Sequence, residues 1–219
     1  MPSFTFFVTS ACSILVPFSV SLIKWNRLKN NYLPLITLLA LGLFNESVSL
    51  INVYRHIPNT INGNIFVLLD FLIVIWLFSR LQLSYSNRFL ILLIMLGILV
   101  WVVDNFLLNA LSGNNSLFRM VASLFIVIVS IDKLNQLLFF QNRNGNMIAD
   151  MLISIGVLCY YSYKSFVESF HLFPMAIDKI SFYTNLWVIL GIINIGMNLL
   201  LTAAIICIPQ KPAYSIRLS

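Results

Sequence analysis

Residues 63–80 read GNIFVLLDFLIVIWLFSR, and from Ile65 to Phe78 every residue but Asp70 is aliphatic or aromatic. As a helix rising about 1.5 Å per residue, such a run nearly matches the roughly 30 Å hydrocarbon core of a bilayer. A soluble protein could accept one such helix in its core, so the rest of the chain decides the matter. Six further runs of similar length and apolarity flank it, at 4–23, 33–54, 88–110, 117–140, 147–169 and 184–208. Of the 219 residues, 60% are hydrophobic and only 9% charged, against about 25% charged in an ordinary soluble domain. The solvent implied is lipid. High hydrophobicity also excludes a disordered chain, and the ten-residue alternation of a membrane barrel is missing. The expectation is an all-α, polytopic bundle of seven transmembrane helices, a single domain over residues 1–219.

The connections carry turn chemistry at Pro58–Gly63, Ser112–Asn115 and Asn142–Asn146. The first run lacks the cationic leader of a secretory signal, because Lys24, Arg27 and Lys29 follow it. It is read as a retained helix. Thirteen Lys and Arg against seven Asp and Glu give a net charge of +6, but these cations lie between apolar runs, so nucleic acid is not an expected partner. Lys24, Arg27, Lys29, Arg80, Arg88, Lys133, Arg143, Lys211 and Arg217 fall on one side of the expected topology, and Arg55, Arg119, Lys164 and Lys179 on the other. The richer side faces the cytoplasm, which puts the N-terminus outside and the C-terminus in the cytoplasm. Asp132-Lys133 in the fifth run and Lys164 in the outer third of the sixth are the features least suited to lipid. Losing either span would leave six and bring the N-terminus inside.

A carboxyl deep in a span costs at least about 2.5–3.5 kcal/mol on insertion scales, so it requires a partner or a function. Glu46, Asp70 and Asp104 each lie six to eight residues from the outer helix end, roughly 9–12 Å deep. Polar residues accompany them at helical spacing: Gly42, Asn45, Ser49 and Asn52 in span 2, Asn105 and Asn109 in span 4, and Gly191, Asn194, Asn198 and Thr202 in span 7. Span 6 adds Tyr160, Tyr161, Tyr163 and Lys164. Stripes of this period face a protein interior or a wet cavity. The expected site is a polar pocket in the outer half, with Glu46, Asp70, Asp104, Asn45, Asn105, Tyr160, Lys164, Asn194 and Asn198 as ligand-binding residues. At least three of Glu46, Asp70, Asp104, Asn194 and Tyr160 should line one cavity. The competing interpretation is that Asn, Ser and Gly only hold helices together, at about 0.6 kcal/mol per interhelical hydrogen bond. Lys164 is placed either to neutralise a carboxyl or to snorkel outward against Glu168.

His56 and His171, near outer helix ends, read as interface residues in preference to metal or haem ligands. Cys12, Cys159 and Cys207 fall inside apolar runs without CxxC spacing and read as membrane packing residues. Neither a metal nor a cofactor is expected. Span 7 has no lysine for a retinal Schiff base, and HExxH, GxSxG and P-loop signatures are lacking.

Asn45-Glu46-Ser47, then Asn62-Gly63-Asn64 and Ile65–Phe71 opening span 3, resemble a group of uncharacterised seven-span proteins common in Bacteroidota. The stretch Met151–Ser162 resembles that group's sixth span. Leu186-Trp187 with Ile192–Asn198 resembles its seventh. Asp70 stands where the group has Glu, and Asp150 where it has an apolar residue or Pro. The resemblance implies a bacterial inner-membrane location and, by analogy with membrane halves of signalling systems, a sensor role. The leading expectation is a sensor or ligand-binding protein taking a small polar or cationic ligand and working through a separate cytoplasmic signalling protein. A small secondary transporter or channel using the same carboxylates is the alternative. Third is an intramembrane enzyme acting on lipid, with Asp70 and Asp104 as acid and base.

Overall fold

The computed structural model of the chain describes residues 4–81, 87–139, 146–172 and 179–209, and every regular element among them is helical. Arg143, Lys211, Arg217 and most of the Asn142–Asn146 turn lie outside the described residues.

The first apolar run forms α1 (Phe4–Cys12) and α2 (Leu15–Ile23), broken at Ser13-Ile14. Pro17 explains the break, since it lacks an N–H and its ring crowds the carbonyl four residues back, that of Ser13. Val16 N–H donates to that carbonyl at 3.2 Å instead. A single turn, α3 (Trp25–Leu28), follows. Then come α4 (Leu33–Tyr54), with Pro34 in its first turn where no N–H is needed, and α5 (Thr60–Arg80). His56, with φ 57°, ends α4 in the left-handed region. α6 (Asn87–Val102) runs into a π-helical segment (Val103–Leu108), and α7 (Ser116–Phe139), α8 (Met147–Leu172) and α9 (Lys179–Cys207) complete the chain.

These boundaries follow the expected runs, with three corrections: the first run is two helices, α9 starts at Lys179 and not at 184, and α5 starts before 63. The Pro58–Gly63 turn is half helix, because Asn59 C=O already accepts Gly63 N–H at 3.0 Å. α5 therefore starts at Thr60.

The helices pack in a closed ring, α2 against α4, α4 against α5, α5 against α6, α6 against α7, α7 against α8, α8 against α9, and α9 back against α1 and α2. α5 also packs against α7, and its Phe71, Val74, Leu77 and Phe78 are wholly buried. Gly97 of α6 is required at this contact, because the Phe71 ring occupies the place of any Cβ there. Cys12, Cys159 and Cys207 are free and lie exposed on the outside of the bundle.

The stretches Thr5–Ile23, Leu33–Tyr54, Thr60–Arg80, Arg88–Leu108 and Phe182–Cys207 are each long and apolar enough to cross a membrane. α7 and α8 equal them in length but not in apolarity, because they carry ionisable side chains on their inward faces. Two ion pairs set these two helices antiparallel: Arg119 with Glu168 at 3.8 Å, and Lys133 with Asp150 at 3.9 Å. Between the two pairs, Ile126 of α7 and Val157 of α8 are buried.

Candidate functional site

Asp70 faces inward from α5 and is 6% exposed. Tyr161 of α8 donates its hydroxyl to Asp70 Oδ2 at 2.7 Å, and Lys164, one turn further along α8, brings its Nζ within 3.8 Å of the same oxygen. Lys164 is itself buried, so it does not snorkel; the ammonium lies 5.7 Å and 5.3 Å from the ring centres of Tyr160 and Tyr161. Those distances suit a cation–π contribution within a desolvated site.

Beside this ion pair is a cavity of about 90 Å³ enclosed by α1, the start of α2, α4, α5, α8 and α9. Glu46, Asp70, Tyr160, Tyr161, Asn194 and Asn198 supply its polar walls, and Ile14, Phe66, Met197 and Leu201 are among its apolar ones. Four of the five residues expected to share a cavity do so: Glu46, Asp70, Tyr160 and Asn194. The cavity holds about three waters at ~30 Å³ each. Among the described residues Glu46 has no hydrogen-bond or ion-pair partner, so one carboxylate stands unpaired beside a neutralised one.

Asn194 and Asn198 line the cavity and also hold the broken first helix. Asn194 Nδ2 donates to Ser10 O at 3.2 Å, and Asn198 Nδ2 to Ser13 Oγ at 2.7 Å. Ser10 Oγ donates in turn to Gly191 O at 3.0 Å, and the missing side chain of Gly191 leaves room for the Phe6 ring.

Asp104, Asn105 and Asn45 lie away from the cavity. The π-helical segment turns Asp104 toward the start of α7, where Oδ2 accepts Phe118 N–H at 2.8 Å and Oδ1 accepts Asn109 Nδ2 at 2.8 Å. Phe118 is the third residue of α7, so this carboxylate caps a helix from outside and meets the positive end of its dipole. Asn105 accepts a hydrogen bond from Asn115 just before α7 and donates to Trp101 O at 2.9 Å. No hydrogen bond joins Asp70 to Asp104: both oxygens of Asp104 are engaged at Phe118 and Asn109, while Asp70 meets Tyr161 and Lys164 through Oδ2. Asn45 accepts from Asn62 at 2.8 Å, while Asn59 donates to Ser49 at 2.7 Å and accepts from Asn52 at 2.9 Å. The polar stripe of α4 is thus mainly a seam to the start of α5.

Three features carry no sequence-level expectation. Asn64 is 2% exposed and acts as a hub: its amide donates to Leu111 O and Gly113 O at 2.8 Å and 2.9 Å, while its Oδ1 accepts from Arg119 at 2.9 Å. Arg119 and Glu168 extend the polar face of α8 toward the His56 end, where His171 stacks on Tyr183 with ring centres 5.0 Å apart. At the opposite end, Tyr32 donates to Asp150 Oδ1 at 2.6 Å, and Lys133 pairs with Asp150 and donates to Leu81 O at the end of α5. Burial and the adjoining Asp150 carboxylate hold the Tyr32 phenol well above its usual pKa, so it remains a donor. The signal for the last two was the period of α8, on which Asp150, Ser154, Tyr161, Lys164 and Glu168 recur at steps of three, four or seven; nothing in the sequence pattern marks Asn64.

Among the described residues no group of three or more His, Cys, Asp and Glu is placed to hold a metal ion. The chain matches no known protein family, no curated protein and no solved structure.

Proposed function

We propose that this chain is a seven-span sensor of a bacterial inner membrane, N-terminus outside, whose outer-half cavity binds a small cationic or polar group and which acts through a separate cytoplasmic protein. Counting α7 and α8 as spans is supported by their lengths and by the pairing of their charges with one another and with α5. The orientation rests on the cation bias, and the sensor role on the resemblance to the Bacteroidota group. The observation that carries the ligand reading is Glu46, an unpartnered carboxylate in a cavity whose other acid is already neutralised by Lys164. An unpaired carboxylate in lipid is costly, and a cation beside it removes that cost. A volume near 90 Å³ is well below the roughly 300–1,000 Å³ of drug-sized ligand pockets. The bound group therefore has only a few heavy atoms. Methylammonium titrated into the protein in nanodiscs is expected to raise Tm, with the rise lost in Glu46→Gln, and a pull-down from the native membrane should recover a specific cytoplasmic protein. A flat Tm together with an empty pull-down contradicts the reading.

One observation favours a transporter as the second reading. The Tyr32–Asp150–Lys133 cluster gives the cytoplasmic half a buried polar group on the same face of α8 as Lys164 and Tyr161. Proton flux into proteoliposomes that disappears in Asp70→Asn would place this reading first; vesicles that stay sealed would remove it.

A further inference from the structure

Beside the break between α1 and α2 lies a second hollow, a groove of about 470 Å³ on the outside of the bundle, between the first helix and α9. Val8, Thr9, Cys12, Val16, Ile195 and Leu199 line it, with Ser13 and Asn198 at its floor. Cys12, Val16 and Leu199 are exposed, so in a membrane this groove opens to the acyl chains. Asn198 belongs to both hollows, and its hydrogen bond to Ser13 Oγ stands between the groove and the cavity holding Glu46.

The two hollows are complementary in size and charge. The groove falls within the usual volume of a ligand site but offers no ionisable group other than the Cys12 thiol. The cavity is too small for such a ligand and contains the unpartnered carboxylate. An occupant of both has an alkyl body and a compact cationic head. Asn194 and Asn198 give their amide nitrogens to Ser10 and Ser13, which leaves both side-chain oxygens as acceptors among the cavity residues. With Glu46 they match the three N–H donors of a primary ammonium.

We propose that the site takes a primary alkylamine from the bilayer, its chain in the groove between the first helix and α9 and its ammonium at Glu46, past a parted Asn198–Ser13 hydrogen bond. This rests on the reading of the outer cavity as the ligand site and adds the class of ligand and its route. A head bearing three methyl groups has no N–H to give Glu46 and the two amide oxygens, so it is excluded. An alcohol of equal chain length fills the groove but lacks the charge that Glu46 requires.

The test uses the full chain in nanodiscs and decylamine carrying a diazirine near its chain end, with cross-links mapped by mass spectrometry. Saturable labelling is expected on residues 8–16 and 195–199, displaced by decylamine but not by decanol or decyltrimethylammonium. Glu46→Gln should weaken it at least tenfold, while Asp104→Asn, whose acid lies away from the cavity, leaves it unchanged. Displacement by decanol as effective as by decylamine, or labelling indifferent to Glu46→Gln, overturns the proposal. A Glu46-dependent methylammonium shift without decylamine labelling keeps the cavity as the ligand site and overturns the lipid-borne ligand. Absence of both overturns the two together.

Discussion

Asp70 and Asp104 are both buried, on neighbouring helical stretches, yet they serve different ends. Phe71 packs on Gly97, seven residues before Asp104, so Asp104 lies nearer the His56 end than Asp70 does. Asp104 caps a helix: the backbone N–H of Phe118 takes one oxygen and the side-chain amide of Asn109 the other. Asp70 meets side chains, a phenol and an ammonium from α8, at the edge of a cavity. What separates them is the N-terminus of α7, which Asp104 can reach. A carboxylate within range of a helix start is consumed by structure; one facing mid-helix side chains retains chemistry. Glu46 is the limiting case, since it has neither kind of partner.

The comparison is sharpest where the counter-charge is removed. Lys164→Met leaves Asp70 as an uncompensated buried acid and should cost about 3 kcal/mol, read as lost resistance to SDS unfolding. Combining it with Asp70→Leu should recover most of the loss; a double variant as unstable as the single one would show that the pair does not act as a pair. Asp104→Ala strips the start of α7 of its cap and should cost about 2 kcal/mol, with hydrogen exchange accelerated at Phe118 and methylammonium binding unchanged. If binding fell with stability, the two acids would not be separate in function. Glu46→Gln breaks no contact and removes an unpaired acid, so it should not destabilise the ligand-free protein. It should nevertheless abolish the methylammonium shift.

The sequence made the apolar runs legible because a bilayer imposes one length on every crossing helix, and their limits differ from the helices by a few residues. The start of α5 was misjudged, since Asn59, Asn62 and Gly63 are turn formers whose amides here stitch α5 to α4. Depth was legible for Glu46, Asp70, Tyr160 and Asn194, which share one cavity, but not for Asp104, which sits nearer the helix end than Asp70. Azimuth was not. Six residues of π-helix at Val103–Leu108 alter the direction in which Asp104 and Asn105 point, and no composition rule announces that segment. The partners of Asp70 and Asp150 were hidden for another reason: an ion pair across two helices depends on their register, which only packing decides.

The charged hairpin also bears on how the chain enters the membrane. Five stretches are apolar enough to partition into lipid singly as they leave the ribosome, but α7 alone would bring Arg119 and Lys133 into hydrocarbon without Glu168 and Asp150. On the seven-span reading, α7 therefore waits at the insertion machinery until α8 has been made, and the two enter as one unit. Biogenesis then has a commitment step late in synthesis, after α5 is already in place to receive Lys164 on Asp70.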